Sequence, residues 1–227
     1  MTKSKFSGSR ILVLGLAASV LATGSLAGKP TEVTDAEMAM LPPYCVDTMG
    51  FKYGDAYTNT SPNAPKWVAL MGQGFWAMHH YCWALINIGR AQRPTMPANL
   101  RQGTRESAIG DMRYVIENTP PDFVMLPEIY TRIGEQQLAL GRVSDARASF
   151  DKARSLKPDY WPPYFQWAEY LHRAGKTAEA RAVTEEGLAY SPGAKPLQSL
   201  LVDLGGNPAT VAPKTSASEP TAASPSQ

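Results

Sequence analysis

The chain has 227 residues, enough for one or two domains with a real core, and its 44% apolar and 19% charged residues are the balance of an ordinary globular protein. The formal charge of +2 owes its sign to Lys3, Lys5 and Arg10; without residues 1–27 the count is 19 basic against 20 acidic, a net −1. A near-neutral body has no general attraction for phosphate backbones, so nucleic acid is not an expected partner.

Residues 1–27 read as a secretory signal peptide. Lys3, Lys5 and Arg10 form a positive start, Ile11 to Leu21 form an apolar stretch, and Ser25-Leu26-Ala27 offers small residues for cleavage before Gly28. The apolar run is short and diluted by Gly15, Ser19, Thr23 and Gly24, which disfavours a stable membrane span. An uncleaved leader acting as an N-terminal anchor is the alternative, and a membrane is expected as a partner only in that case. No cysteine follows the cleavage point, so lipid attachment is not indicated. The expected location is outside the cytoplasm, in a periplasm.

Residues 28–66 are rich in Pro, Gly, Asn and Thr and are expected to be irregular, extended or turn-like, with Leu41-Pro42-Pro43-Tyr44-Cys45 as a stiff segment. From Trp67 to Arg90 the pattern turns helical: Phe75, Met78, Tyr81, Cys82, Leu85 and Ile86 recur at helical spacing. Arg93 to Pro97 breaks it, and a second helix runs from about Asn99 to Glu117, carrying Ala108, Ile109, Met112, Val115 and Ile116. Residues 67–126 therefore read as one helical pair.

The chain then repeats. A shift of 34 residues brings Tyr130 onto Tyr164, Gly141 onto Gly175, Ala146 onto Ala180 and Pro158 onto Pro192, dividing 127–160 from 161–194. The first copy carries Tyr130, Gly134, Gly141, Ala146, Phe150, Ala153 and Pro158; the second carries Tyr164, Ala168, Gly175, Ala180, Gly187 and Pro192, with Thr184 in place of the aromatic. This pattern resembles the tetratricopeptide repeat (TPR) family, a helix–turn–helix unit with small residues at close crossings, Gly at the turn and Pro at the end. The resemblance implies an all-α fold, a TPR superhelix of two clear repeats and one divergent one. Ala108, Met112, Val115 and Pro120 supply the divergent repeat, since about three repeats are needed to bury the stacked faces. Leu197, Leu200, Leu201 and Leu204 form a capping helix within 195–206, and the Pro-, Ala- and Ser-rich tail 207–227 is expected to be disordered.

Cys45 and Cys82 are the two cysteines, and an even pair in an oxidising compartment is most simply a disulfide. With His79 and His80 they also offer donors for zinc or copper. Adjacent helical residues project about 100° apart, so both histidines are not expected to face one ion with Cys82; His79, Cys82 and Cys45 are the set able to share a face. No metal or other cofactor is assigned.

No catalytic residue is assigned either. His79, His80 and His172 are the three histidines, no Ser, Cys or Asp stands in a nucleophile motif, and Gly72-Gln73-Gly74 lacks the rest of a phosphate loop. An enzyme is not expected. Instead, the TPR resemblance implies a partner groove on the first helices, at Glu128, Thr131, Glu135, Leu138 and Ala139, then Pro162, Phe165, Glu169, His172 and Arg173. Clamp-type TPR proteins place Lys and Asn where Thr131, Glu135, Phe165 and Glu169 stand, so capture of a C-terminal carboxylate is not implied. A mixed apolar and acidic groove fits a protein or peptide segment of basic character. Tyr160, Trp161, Tyr164, Phe165 and Trp167 read as interhelix packing or as a groove platform. The functional expectation is protein–protein interaction in envelope assembly, as in secretion, pilus or extracellular-polysaccharide systems. The alternative is a metal- or glycan-binding periplasmic protein using the Cys/His segment or the aromatics.

Overall fold

The computed structural model describes residues 30, 32–48, 50–52 and 60–215, which hold helices and turns and no strand; the signal peptide expected over 1–27 lies outside the described residues. The N-terminal stretch is more ordered than its composition suggests. Helix α1 (Asp35–Ala39) starts on a capping box: Thr34 Oγ1 accepts from the Glu37 N–H at 3.2 Å, and Glu37 Oε2 accepts from the Thr34 N–H at 3.0 Å. A helix this short has no buried residue of its own. It is pinned from outside, Glu37 bonding Arg90 at 2.7 and 2.9 Å and Arg93 at 2.6 Å. A 3-10 turn over Pro43–Asp47 follows and buries Tyr44 and Cys45.

The helical pattern read from Trp67 to Arg90, with 72–91 as the first helix of the divergent repeat, is divided into two helices and a turn. Helix α2 (Ala64–Met71) stops at Gly72, whose φ of +70° and ψ of −164° are open to glycine and strained for other residues. A 3-10 turn (Gly72–Ala77) leads into α3 (Met78–Ala91). Gly74 sits in that turn because a Cβ there would lie 2.5 Å from the Phe123 ring.

Helix α4 (Ala98–Glu117) packs along α3 through Ala108, Ile109, Met112 and Val115, all buried. The next pairs are α5 (Leu126–Ala139) with α6 (Val143–Leu156), and α7 (Pro162–Arg173) with α8 (Thr177–Tyr190). Their turns are copies of one another. Gly141 and Gly175 both have φ +75°, and the following N–H groups reach back in the same way, Arg142 to Gln137 O at 2.8 Å and Lys176 to Leu171 O at 2.9 Å. Helix α9 (Lys195–Asp203) closes the end, with Leu197, Leu200, Leu201 and Leu204 buried against α7 and α8.

Small residues sit where the helices cross. A Cβ on Gly134 would lie 2.7 Å from the buried Phe150 ring, and one on Gly187 would lie 2.8 Å from Tyr164 and from Leu197. The second repeat meets its missing aromatic by a size exchange: Ala168 and Thr184, both fully buried, stand where the first has Gly134 and Phe150. The Thr184 hydroxyl donates to Ala180 O at 2.8 Å, so no polar group is stranded.

Part of the tail is ordered as well. Residues 207–215 fold back, with a 3-10 turn at Pro208–Thr210 and a bond from the Lys214 N–H to Ala189 O at 2.6 Å. The disorder expected for 207–227 therefore does not hold for this part, because Val211 finds apolar cover on α8 and α9. Residues 216–227 lie outside the described residues.

Candidate functional site

A disulfide ties the N-terminal segment to α3. Cys45 and Cys82 are bonded with Cα atoms 5.7 Å apart, and both are fully buried. This removes both sulfurs from the ligand set that Cys45, His79 and Cys82 offered in the sequence. It also brings Tyr44, from the 3-10 turn, into the core shared with α3 and α5. Asp47 anchors the same segment. It accepts from Ser61 Oγ at 2.6 Å, Trp67 Nε1 at 2.7 Å and Asn63 Nδ2 at 3.3 Å, and these donors hold its carboxyl below the usual range although burial opposes them.

The tethered segment forms one wall of a groove. A cavity of about 670 Å³ lies among Leu41 and Pro42 on the segment, Leu85, Ile88 and Arg90 on α3, and Glu128 and Arg132 on α5. Beside it is a polar cluster centred on α5. The Tyr81 hydroxyl donates to Glu128 Oε1 at 2.6 Å, and Arg132 lies 3.9 Å from Glu128 and 3.2 Å from Glu135. Burial, and next the Glu128 carboxylate, push the Tyr160 phenol up to about 12, and the same two causes raise Tyr44 and Tyr81. The Glu128 carboxylate thus acts through its charge on phenols from three parts of the chain and is bonded to that of Tyr81. Burial also raises Glu135, with Arg132 opposing it. At neutral pH the phenols remain protonated, and the Tyr81 hydroxyl is committed to Glu128, so the polar groups that line the cavity itself include the charged ends of Arg90, Glu128 and Arg132.

Of the groove residues expected from the sequence, Glu128 alone lines this cavity. Glu135 is close by, in its bond to Arg132. Thr131 is not available to a partner: it is 2% exposed, and its hydroxyl donates to Pro127 O at 2.7 Å. Phe165 is half-buried, touching both C-terminal core clusters and meeting Trp161 edge-on at 6.1 Å. Glu169, His172 and Arg173 are set apart from the cavity on the second half of α7, with Glu169 and Arg173 paired at 3.3 Å. The expectation treated the N-terminal segment as separate from the repeats, so it did not include this cavity. Arg132, Tyr81 and Tyr44 were not among the expected residues, whereas Tyr160 was named with the aromatics of 160–167. Their nearness spans long sequence separations, 47 residues for Tyr81 and Glu128.

A second cluster lies on the α3–α4 side. The His80 Nδ1 atom is 2.7 Å from Oδ1 of Asp111, a fully buried carboxylate, and His79 Nδ1 is 2.8 Å from Trp76 O. The two imidazoles were expected to diverge, yet their centroids are 4.5 Å apart, because side-chain rotation closes the angle set by the backbone. Burial, and next the neighbouring His80, lower the His79 ring to about 4, against the pull of the Trp76 carbonyl.

No family model and no curated protein matches this chain.

Proposed function

We propose that the chain is an exported tetratricopeptide-repeat protein that holds a protein or peptide segment in the groove between its N-terminal segment, α3 and α5. The carrying observation is that cavity, apolar along Leu41, Leu85 and Ile88 and edged by Arg90, Glu128 and Arg132. An apolar floor supplies desolvated contact, and charges at the rim set register and orientation. The 34-residue repeat of sequence and of turn geometry supports the family reading. A bonded cysteine pair fits export to an oxidising compartment, and no helix among the described residues is long and apolar enough to cross a membrane. The partner role belongs to envelope assembly, with no catalytic step and no nucleic acid.

Site-specific photo-crosslinking in cells tests this. A crosslinker at Met40 or Arg93, on the groove rim, should give one discrete adduct, while the same group at exposed Ala148 on α6 should give none. Adducts from Ala148 with none from the rim would place the interface elsewhere and overturn the proposal. Mass measurement of the secreted chain should find Gly28 as its first residue.

A further inference from the structure

His79 and His80 are each fixed through the same ring atom. A carbonyl oxygen only accepts, so His79 Nδ1, 2.8 Å from Trp76 O, carries the proton. The Asp111 carboxylate, 2.7 Å from His80 Nδ1, selects the same tautomer there. Each ring then presents its lone pair at Nε2. Histidines that hold metal characteristically donate their other ring N–H to a backbone carbonyl or a carboxylate, which orients the ring and raises its basicity. Both forms of that support occur here on adjacent residues.

The spacing suits one ion. A metal–nitrogen bond of roughly 2.0–2.1 Å places a ligating ring's centroid about 3.2 Å from the ion, so two rings meeting one ion at about a right angle have centroids near the 4.5 Å separation found here. Trp83 packs on both rings, at 4.9 Å from His79 and 4.5 Å from His80, and Tyr114 lies against His80 at 3.9 Å. These contacts restrict ring rotation.

We propose that His79 and His80 form a two-imidazole copper site, with their Nε2 atoms as ligands and with Asp111 and the Trp76 carbonyl as the oxygens that set the rings. The donor count decides between copper and zinc. Two neutral nitrogens leave a tetrahedral zinc site half-built, whereas copper has the highest affinity for nitrogen donors in the divalent first-row series. Among the described residues no group of three or more His, Cys, Asp or Glu gathers to hold an ion, so water or a partner's donor completes the coordination. The Cys82 sulfur is in the disulfide and takes no part. Asp111 is a positioning residue, not a ligand.

With only three histidines in the chain, the experiment is direct. Copper(II) is added below one equivalent to the full oxidised chain while the imidazole proton resonances are followed by NMR. The His79 and His80 signals should broaden away while that of exposed His172 stays sharp, and electron paramagnetic resonance should show two imidazole nitrogens on copper. Asp111→Asn should weaken copper binding roughly 10–100-fold, as loss of an outer-shell partner does. His80→Asn should abolish the two-nitrogen spectrum and lower the melting temperature somewhat, since it removes a donor from the buried Asp111 carboxylate, and His79→Gln is the second variant should that one fail to fold. Equal broadening of all three histidines, or sharp histidines with copper bound elsewhere, would overturn the site; the wild-type titration decides this with no variant at all.

Discussion

Gly134→Ala probes the crossing of α5 and α6 through a single added carbon. That Cβ would lie 2.7 Å from Phe150 Cε1 and 2.9 Å from both Cδ1 and Cζ, where unstrained carbon contacts need about 3.5–4.0 Å. Phe150 is fully buried, so its ring has no solvent to move into. Overpacking of this kind costs about 1–3 kcal/mol, and alanine in a helix interior recovers about 1 kcal/mol over glycine. Phe150→Leu made together with Gly134→Ala removes the clash and leaves the propensity gain, so the pair should couple favourably by about 1–2 kcal/mol. The second repeat supplies the mirror experiment. Thr184→Phe alone should destabilise, and Ala168→Gly should rescue it, since this restores the first repeat's pair. Urea unfolding of the two cycles measures the coupling, and each kcal/mol should move the melting temperature by roughly 2–4 °C. Additive effects at both crossings would refute the claim that the two are one contact used twice.

The other predictions concern the N-terminal segment and the aromatic network. Alkylation with mass spectrometry should find no free thiol before reduction, and Cys45→Ser with Cys82→Ser should cost about 4 kcal/mol for a loop spanning a separation of 37 residues, seen as a lower urea midpoint. The hydrogen bond from Arg90 holds Glu37 down to about 2, so its contribution is full above the ordinary carboxylate range and is lost as pH falls through about 2. Hydrogen exchange across 34–41 should therefore rise in that acid window, and Glu37→Gln should show the raised exchange already at neutral pH. Tyr81→Phe removes a donor from Glu128 and should cost about 1–2 kcal/mol by denaturant titration. Phe165→Ala should lower the melting temperature, because the ring touches two core clusters; an unchanged value would return it to the solvent-facing role read from the sequence.

The local parts of the fold were legible because they repeat or break at short range. A 34-residue period, Gly at each turn and Pro after each second helix pointed to two helix pairs over 127–194, the region that holds α5 to α8, and the leucines of α9 pointed to a further helix. The break at Gly72 was hidden by the apolar spacing that runs through Met71 to Met78, which suits a continuous helix until a positive φ is required. Helix α1 was present in the sequence as Thr34-Asp35-Ala36-Glu37, a capping-box spacing. Five residues carry too little apolar periodicity to register beside so much Pro and Gly, and the helix is held by arginines more than 50 residues away.

The groove was harder to see for a related reason. The family resemblance assigns a partner surface to the first helices alone, whereas the proposed groove takes one wall from the disulfide-bound segment and lies beside Tyr44, Tyr81 and Glu128. The repeat pattern places Glu128 and Glu135 on the first helix, and Arg132 lies at one-turn spacing from both, but the pattern does not show what covers them. Burial by the N-terminal wall gives those charges more weight, since a partly desolvated ion pair is screened less than an exposed one. The same wall couples distant features. Cys45–Cys82, the Asp47 hub and the Glu37–arginine contacts each hold the segment that shapes the cavity. A partner that binds the assembled groove stabilises all three by linkage, and a change that loosens any one of them lowers the fraction of molecules competent to bind.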